Sequence, residues 1–305
     1  MVKDRMVWIN GEFISWENAT VPIMSHSFGR GSAIFEVLSF HDTGGGPAVF
    51  RLEAHIDRLL RSAELLEMDL PYSKEALCEA VAGTIKRNRL RKGYVKLICF
   101  YPEISFEIIP PESPLSVSVF ALDPEQDLGA KSDSFKEGTT VYVSKWRKLD
   151  PRTVPIEAKA AANYLNGMVA RMEAQKKGFK HAIMLDTQGY IAEGGTESVF
   201  LVKDGCLLTP STEAVLKSIT RMSILELARE VGIECSEKQL KPELLDEAEE
   251  IFLSSTPFKV TPVMQINERK LPDAPGPISH KIAELLNTIT AGNDNRFENW
   301  LYFVT

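Results

Sequence analysis

One lysine stands in a setting that suits chemistry better than solvent exposure. Lys159 lies among small apolar residues in the segment 157–164, which reads EAKAAANY. A surface lysine normally has polar neighbours, because its ammonium group is strongly hydrated. Partial desolvation favours the neutral amine, which is the nucleophilic and basic form. The segment therefore suggests a Schiff-base lysine, although a solvated lysine on an alanine-rich helix would give the same pattern.

The segments after Lys159 form an ordered series. In chain order they are a predicted buried strand over 181–186, a turn over 187–189, the run EGG from Glu193, an apolar strand over 198–202, and the run LKSITR over 216–221, which opens a periodic helix over 222–231. This series resembles the signature of the class IV aminotransferases, which use pyridoxal 5′-phosphate (PLP). Within that family it is most similar to the branched-chain aminotransferases. One position differs, because Ser198 stands where the family usually has asparagine.

The resemblance covers nearly the whole chain and implies both a fold and a reaction. The implied fold is α/β (α+β), fold type IV, with a small α/β sandwich lobe and a larger pseudo-barrel lobe. The implied reaction moves an amino group from an amino acid, branched-chain or otherwise hydrophobic, to a 2-oxo acid such as 2-oxoglutarate. The resemblance also implies a homodimer in which each site borrows a loop from the neighbouring subunit.

PLP needs an amine and groups that hold its ring, while the cofactor itself supplies the electron sink. We expect Lys159 to be the catalytic residue, first as the covalent amine and then as a proton carrier. Glu193 precedes two glycines that let the backbone approach the ring, and its carboxylate would keep the pyridine nitrogen protonated. The resemblance implies that Tyr164 bonds the phenolate oxygen and that Leu216 packs on the ring. We expect Glu197 to be structural.

The phosphate group of PLP needs hydrogen-bond donors and positive charge. Ile219 and Thr220 precede a predicted helix, where free N–H groups and the helix dipole favour a dianion. Thr256 lies in a hydroxyl-rich run at the end of a later predicted strand. Arg58 matches the phosphate arginine of the family on a helix of the first lobe. His55, one helical turn earlier, is expected to help hold that arginine.

The residues matched to substrate binding are Phe35, Tyr94, Lys96 and Pro257. Lys96 stands where the family has arginine. Lysine keeps the positive charge but cannot form the two parallel hydrogen bonds that arginine makes to a carboxylate. Pro257 has no N–H to donate, and Ser39 replaces a further arginine of the usual pattern. We therefore expect the substrate carboxylate to be bound more weakly than in a typical branched-chain enzyme.

Other activities of the same fold remain open. A D-amino-acid transaminase, an (R)-selective amine transaminase and an aminodeoxychorismate lyase would use the same lysine and cofactor, although Ser39 lacks the basic side chain usual in the D-amino-acid enzymes. A non-catalytic PLP-binding protein is a remote alternative, against which the pairing of Lys159 with Glu193 argues. His26 and Arg30, in a glycine-marked segment, are expected to be structural rather than catalytic.

Composition narrows the class of protein. The 305 residues are 44% hydrophobic, which is enough for a large core, and the net charge of −7 without a basic stripe argues against a nucleic-acid partner. The cysteines and histidines are scattered without the spacing of metal ligands, so we expect no metal site and a reducing, cytoplasmic location. No signal pattern opens the chain and no apolar run reaches the roughly 18 residues of a membrane span.

The candidate site residues must be positioned by the two lobes of the fold. Hydrophobic periodicity predicts hairpins over 6–14 and 33–52, helices over 52–66, 73–88 and 278–289, and strands over 94–101 and 115–122. The first hairpin turns at Asn10 and Gly11, a pair that favours tight turns. We expect a small α/β lobe over 1–122, an interdomain loop over 123–138, where hydrophobicity falls, and a large PLP-binding lobe over 139–305.

Overall fold

The secondary structure comes from a computed structural model that describes residues 2–129, 134–213 and 215–305. The strands are β1 Met6–Ile9, β2 Glu12–Ser15, β3 Ala33–Thr43, β4 Gly46–Phe50, β5 Gly93–Phe100, β6 Ser116–Leu122, β7 Thr139–Val143, β8 His181–Leu185, β9 Ile191–Gly194, β10 Ser198–Lys203, β11 Cys206–Pro210, β12 Cys235–Lys238, β13 Glu250–Ser254, β14 Thr261–Ile266, β15 Arg269–Lys270 and β16 Leu301–Phe303. The helices are α1 His26–Arg30, α2 Leu52–Leu65, α3 Lys74–Arg87, α4 Pro124–Leu128, α5 Ser134–Glu137, α6 Tyr164–Lys176, α7 Ile219–Glu230, α8 Leu244–Glu247 and α9 Pro277–Thr290.

The chain divides into two units, and the division does not follow a single cut along the sequence. The first unit comprises Met1–Lys131, Ala158–Ala162 and Thr288–Thr305, and the second comprises Ser132–Glu157 and Asn163–Asn287. The sequence places 158–162 and 288–305 in the large lobe. In the structure both join the first unit, because β16 pairs with β4 and the segment around Ala160 pairs with β3. The expected loop over 123–138 contains α4 and α5, and its residues 130–133 lie outside the described part of the chain.

The first unit is built on a seven-stranded antiparallel sheet in the order β16-β4-β3-β5-β6-β1-β2. The hairpin of β1 and β2 turns at Asn10 and Gly11, whose φ angles are both positive (49° and 98°), as the tight hairpin turn requires. Inward-facing side chains such as Leu38 of β3 pack against Ile56 of α2 and Val81 of α3 in one buried cluster. This packing fixes α2 on one face of β3, and α2 carries Arg58.

The second unit is built on a nine-stranded mixed sheet in the order β12-β11-β10-β13-β14-β7-β8-β9, with β15 added to β14. Every residue of β8 is buried, which confirms the strand predicted after Lys159. Helix α6 packs through the small residues Ala170 and Ala174 against Ala182 and Met184 of β8. This packing places Tyr164, the first residue of α6, at a fixed point beside the sheet.

Among the described residues, no helix combines the length and the apolar composition that a membrane crossing requires.

Candidate active site

Both backbone groups of Lys159 are hydrogen-bonded, which fixes the residue at the edge of β3. Its N–H donates to Ser62 Oγ at 3.0 Å, and its carbonyl accepts from the N–H of Phe35 at 3.1 Å. The neighbouring alanines are buried, with Ala158 2% and Ala160 9% exposed. The small, apolar flanks that the sequence singles out therefore do pack against protein, while the lysine side chain stays partly exposed.

A single hydroxyl connects this lysine with Arg58. Ser62 lies one turn after Arg58 on α2, and its Oγ donates to the Arg58 carbonyl at 2.8 Å while it accepts from the N–H of Lys159. Ser62 is fully buried, so water does not compete for either bond. The backbones of the two cofactor candidates of the first unit are thus held together through one side chain.

The guanidinium group of Arg58 forms a fork-shaped ion pair with Glu36 of β3. Arg58 Nε and Nη2 donate to Glu36 Oε1 and Oε2, each at 2.7 Å, and His55 Nδ1 lies 2.7 Å from Oε2. Burial alone would raise the pKa of the Glu36 carboxyl, but the charge of Arg58 and the hydrogen bonds from His55 and Arg58 outweigh it and lower the pKa to about 2. Burial lowers the pKa of His55, which favours its neutral form. His55 therefore supports Arg58 through their shared carboxylate.

Three of the four expected substrate residues lie on one face of the first sheet. In the pairing of β3 with β5, Lys96 stands opposite Val37 and Tyr94 opposite Ser39, and Phe35 is two residues before Val37 on the same face. The Phe35 ring centroid is 4.8 Å from Lys159 Nζ and 5.0 Å from Lys96 Nζ. The ring is therefore in contact with both amines.

The polar groups on this face sit in a partly desolvated setting. Lys96 is exposed at the surface of its unit, yet the packing around its side chain desolvates the amine and lowers its pKa. Burial also raises the pKa of Tyr94. Ser39 is buried, and its Oγ lies 3.0 Å from His41 Nε2. The fourth expected substrate residue, Pro257, belongs to the second unit, in an exposed turn after β13.

Two further residues that the sequence marks in the first unit have structural contacts. His26 is buried and its Nδ1 lies 2.7 Å from Ser32 Oγ. Arg30 Nη2 donates to the carbonyl of Phe106 at 2.8 Å, and its Nε donates to the carbonyl of Glu107 at 3.4 Å. Arg30 thus ties α1 to a loop that follows β5.

In the second unit, Glu193 at the end of β9 forms an ion pair with Lys148. The Lys148 ammonium contacts Glu193 Oε1, and the two side chains are 12% and 13% exposed. The backbone N–H of Lys148 donates to the carbonyl of Leu185, at the end of β8, at 2.8 Å. The carboxylate is therefore oriented by a cation that is itself anchored to the sheet.

The turn after Glu193 lies directly against α6, the helix that Tyr164 opens. A Cβ atom on Gly167 would lie 2.1 Å from the Gly195 carbonyl oxygen, which no side chain could tolerate. Glycine at position 167 is thus required for the approach of the helix to the turn. This contact fixes Tyr164 and Glu193 relative to each other within the unit.

The nearby carboxylate of Glu197 is satisfied entirely within the protein. It accepts hydrogen bonds from Thr196 N at 2.9 Å and Thr196 Oγ1 at 2.8 Å, and its Oε1 lies 3.1 Å from His181 Nδ1. Burial would raise the pKa of Glu197, but His181 and Thr196 lower it to about 2. These bonds close the turn that begins at Glu193 and account for Glu197 without any ligand.

The start of α7 supplies backbone donors. The sequence predicts this helix from Met222, but it begins at Ile219, because Ser218 is its N-cap and accepts from Arg221 N at 3.3 Å. Ile219 and Thr220 thus form the first turn, where N–H groups have no partner within the helix. Leu216 is half-buried just before this turn.

Arg221 explains why the turn before α7 is fixed. It is 1% exposed and donates to Thr209 Oγ1 at 3.2 Å, to the Pro210 carbonyl at 2.6 Å and to Glu237 Oε2 at 2.8 Å. Arg221 therefore ties the first turn of α7 to β11 and β12.

The end of β13 carries hydroxyl groups, as the sequence predicts. Thr256 follows the strand in a turn and is half-buried. Ser254 is 2% exposed, and its Oγ has no hydrogen-bond partner among the residues that the structure describes. A buried hydroxyl without a partner costs free energy unless a ligand or water satisfies it, so this strand end suits a ligand rich in oxygen.

Comparison with known proteins decides the family. The sequence model described as amino-transferase class IV matches residues 33–266. The chain belongs to this family. The branched-chain-amino-acid aminotransferase of Escherichia coli is 35% identical over 302 residues, which are 98% of this chain and 97% of that enzyme.

Solved structures of this family share the fold over the full length. The branched-chain aminotransferase of Thermoproteus uzoniensis with norvaline has a TM-score of 0.93 at 33% identity and covers 99% of both chains. The enzyme of Thermobaculum terrenum in its PLP form has a TM-score of 0.92 at 29% identity and covers 100% of both chains. The family and the fold type expected from sequence are confirmed, and the protein is a class IV aminotransferase.

The residues of this aminotransferase fit PLP as its cofactor. The first unit offers an anchored amine at Lys159 and a guanidinium group at Arg58. The second unit offers the oriented carboxylate of Glu193 and the N–H groups of the first turn of a capped helix. It also offers a strand end at which the Ser254 hydroxyl has no partner among the described residues. Within the described residues, no group of three or more His, Cys, Asp or Glu side chains could hold a metal ion.

The residues that sequence reasoning missed are Glu36, Ser62 and Lys148. Glu36 did carry a signal, because it alternates with Ile34 and Leu38 on the inward face of β3, and a buried acid requires a cationic partner. Ser62 and Lys148 carried none, since their partners are remote in sequence.

Proposed function

We propose that this aminotransferase moves the amino group of a branched-chain or other hydrophobic amino acid to a 2-oxo acid such as 2-oxoglutarate. One observation carries the proposal. Lys159, the amine expected to bond the cofactor, is fixed through both backbone groups to Phe35 and Ser62, and thus to the elements that bear the substrate face and Arg58.

Lys159 acts at two points. PLP, when bound, supplies the electron sink that makes the substrate Cα proton acidic. Lys159 Nζ would hold the cofactor in the resting enzyme and would be a free amine while the amino acid substrate is bound. The free amine would then accept the proton from the substrate Cα as general base and give it back as general acid. Return of the amino group to the 2-oxo acid uses the same residues in reverse.

The remaining residues bind and orient. Glu193, which pairs with Lys148, would keep the pyridine nitrogen protonated, and Tyr164 would donate to the phenolate oxygen. Leu216 covers the ring. The phosphate is assigned to Arg58 in the first unit and, in the second, to Ile219, Thr220 and Thr256. Each group matches a part of the cofactor by its chemistry: cation or N–H for the dianion, carboxylate for the ring nitrogen.

The substrate face suits a hydrophobic amino acid. Phe35 and Val37 provide apolar contact area, and Lys96 and Tyr94 provide polar groups for a carboxylate. The names of the relatives support branched-chain substrates in particular. With Lys96 in place of arginine and Pro257 in place of a residue with an N–H, this enzyme binds the substrate carboxylate more weakly.

We also propose a homodimer. Large apolar side chains are exposed in two neighbouring segments of the first unit that a β-bridge joins at Ser25 and Ile104. They are Ile23 75%, Phe28 72%, Ile104 66%, Phe106 76%, Ile108 76% and Ile109 74% exposed. An apolar surface of this kind is typical of a protein interface. Light scattering with size-exclusion chromatography should give twice the chain mass, and Phe106→Asp should shift the protein toward the monomer.

We infer a cytoplasmic location from the cysteines. All four are free thiols, and reducing compartments preserve such thiols.

The proposed activity is tested by half-reactions. Leucine added without an acceptor should abolish the visible absorbance of the PLP-loaded enzyme, and 2-oxoglutarate should restore it. D-amino acids, (R)-amines and aminodeoxychorismate serve as the comparison panel. Pyruvate release from aminodeoxychorismate, or a response to D-alanine alone, would overturn the assignment in favour of the lyase or the D-amino-acid enzyme.

A further inference from the structure

The carboxylate of Glu36 is the most completely buried charge next to the proposed cofactor residues. Its side chain is 0% exposed, on the face of β3 that packs on α2. Arg58 reaches it with two parallel hydrogen bonds of 2.7 Å, and His55 with a third. The buried carboxylate therefore accepts three hydrogen bonds. It stays ionised because those donors lower its pKa to about 2.

This arrangement presents a conflict. Arg58 is assigned to the phosphate of PLP, and a second anion already bound to Arg58 repels that phosphate. On charge alone, Glu36 should therefore weaken cofactor binding. Its presence needs a reason that is stronger than the repulsion.

Orientation supplies the reason. Arginine has a long, flexible side chain, and fixing it on a ligand costs conformational entropy. The pair with Glu36 uses Nε and Nη2, which fixes the plane of the guanidinium group. Ser62 adds a hydrogen bond to the Arg58 carbonyl, so the backbone below the side chain is also fixed.

We propose that Glu36 is a positioning residue for the cofactor phosphate: it holds the Arg58 guanidinium in its binding orientation, and this gain outweighs its own repulsion of the phosphate. The inference rests on the role of Arg58 given under the proposed function. Charge repulsion alone predicts that neutralising Glu36 strengthens PLP binding. The proposed positioning role predicts that the same change weakens it.

The test compares two ligands that differ only in the phosphate. Dissociation constants of PLP and of pyridoxal are measured on enzyme freed of cofactor, well below the melting temperature of each variant. Glu36→Gln should raise the Kd of PLP on the order of tenfold and leave the Kd of pyridoxal unchanged. A merely structural defect would weaken both ligands together. In the Arg58→Met background, Glu36→Gln should have no further effect on PLP, since Glu36 acts through Arg58.

The first unit offers a matched control. Asp127 forms an ion pair with Arg5 at 3.0 Å, in which the Arg5 side chain is 12% exposed and the Asp127 side chain is 0% exposed. These exposures match those of the Arg58–Glu36 pair, which are 11% and 0%. Asp127→Asn should lower the melting temperature without changing either dissociation constant.

The outcomes separate the inference from its premise. If Arg58→Met leaves PLP affinity intact, the phosphate role of Arg58 is wrong. If Arg58→Met weakens PLP but Glu36→Gln binds it as tightly as wild type, or more tightly, the positioning role is overturned. Should Glu36→Gln fail to fold, Glu36→Asp keeps the charge but withdraws it from Arg58. That variant should again weaken PLP alone, and unchanged PLP affinity would contradict the proposal.

Discussion

Lys148 is the ion-pair partner of Glu193, and both side chains are almost entirely shielded, at 12% and 13% exposed. One carboxylate oxygen is thereby occupied by a cation whose backbone N–H is anchored to β8. The acid of the candidate site is thus part of a pair rather than an isolated residue.

Loss of Lys148 should therefore impair catalysis. In Lys148→Met the carboxylate loses a charged hydrogen bond, a contribution of roughly 1.5–3 kcal/mol, so kcat/KM should fall about tenfold or more. Lys148→Arg should retain most of the activity. Lys145→Met, a change at an exposed lysine three residues earlier, is the control and should behave as wild type. Equal activity in the two Met variants would show that Lys148 does not act on Glu193.

Glu193 itself should be far more sensitive. Glu193→Gln removes the negative charge that we propose keeps the pyridine nitrogen protonated, so turnover should fall by about two orders of magnitude or more. Steady-state kcat with leucine and 2-oxoglutarate measures the effect. Turnover near wild type in this variant would mean that another acid serves the ring nitrogen.

Pro257 should limit the affinity for amino acids. Pro257→Ala restores one N–H donor, and a hydrogen bond to a charged group contributes roughly 1.5–3 kcal/mol. The KM for leucine should then fall about tenfold, with kcat nearly unchanged, because the carboxylate contact persists in the ground and transition states. Initial rates over a range of leucine concentrations separate the two constants. An unchanged KM, together with a sub-millimolar wild-type value, would place the carboxylate contact elsewhere.

Glu197 should make stability depend on pH. Its pKa in the folded protein is about 2, below the ordinary value of 4.5, so the unfolded state binds more protons as the pH falls. The stabilisation is present above about 4.5 and is lost as the pH falls toward about 2. Melting temperatures between pH 6 and pH 3 should therefore drop less steeply for Glu197→Gln than for wild type. Parallel profiles for the two proteins would rule out this contribution.

Local patterns were sufficient to predict most elements. The turn at Asn10 and Gly11 carries its own conformational preference, and the helix expected over 52–66 is observed at Leu52–Leu65, because its apolar spacing is a local property. The start of α7 was misplaced, since the N-cap at Ser218 extends the helix beyond its apolar stripe.

Partnerships between distant residues could not be predicted in the same way. The motif around Lys159 predicts the lysine as the cofactor amine, but nothing in its spacing indicates that Ser62 accepts its N–H or that its segment joins the first unit. Glu36 and Lys148 are likewise defined by partners that only the folded sheets bring near. Sequence therefore indicated candidates for the chemistry and one orienting group, His55, whereas the contacts of Glu36, Ser62 and Lys148 required the structure.

The central claim is that Lys159 is the amine that holds PLP. Borohydride reduction of the PLP-loaded enzyme, followed by proteolysis and mass spectrometry, should find the phosphopyridoxyl group on the peptide that contains Lys159. Lys159→Ala should lose both the label and turnover. A label on another lysine, or turnover that persists in Lys159→Ala, would contradict the account.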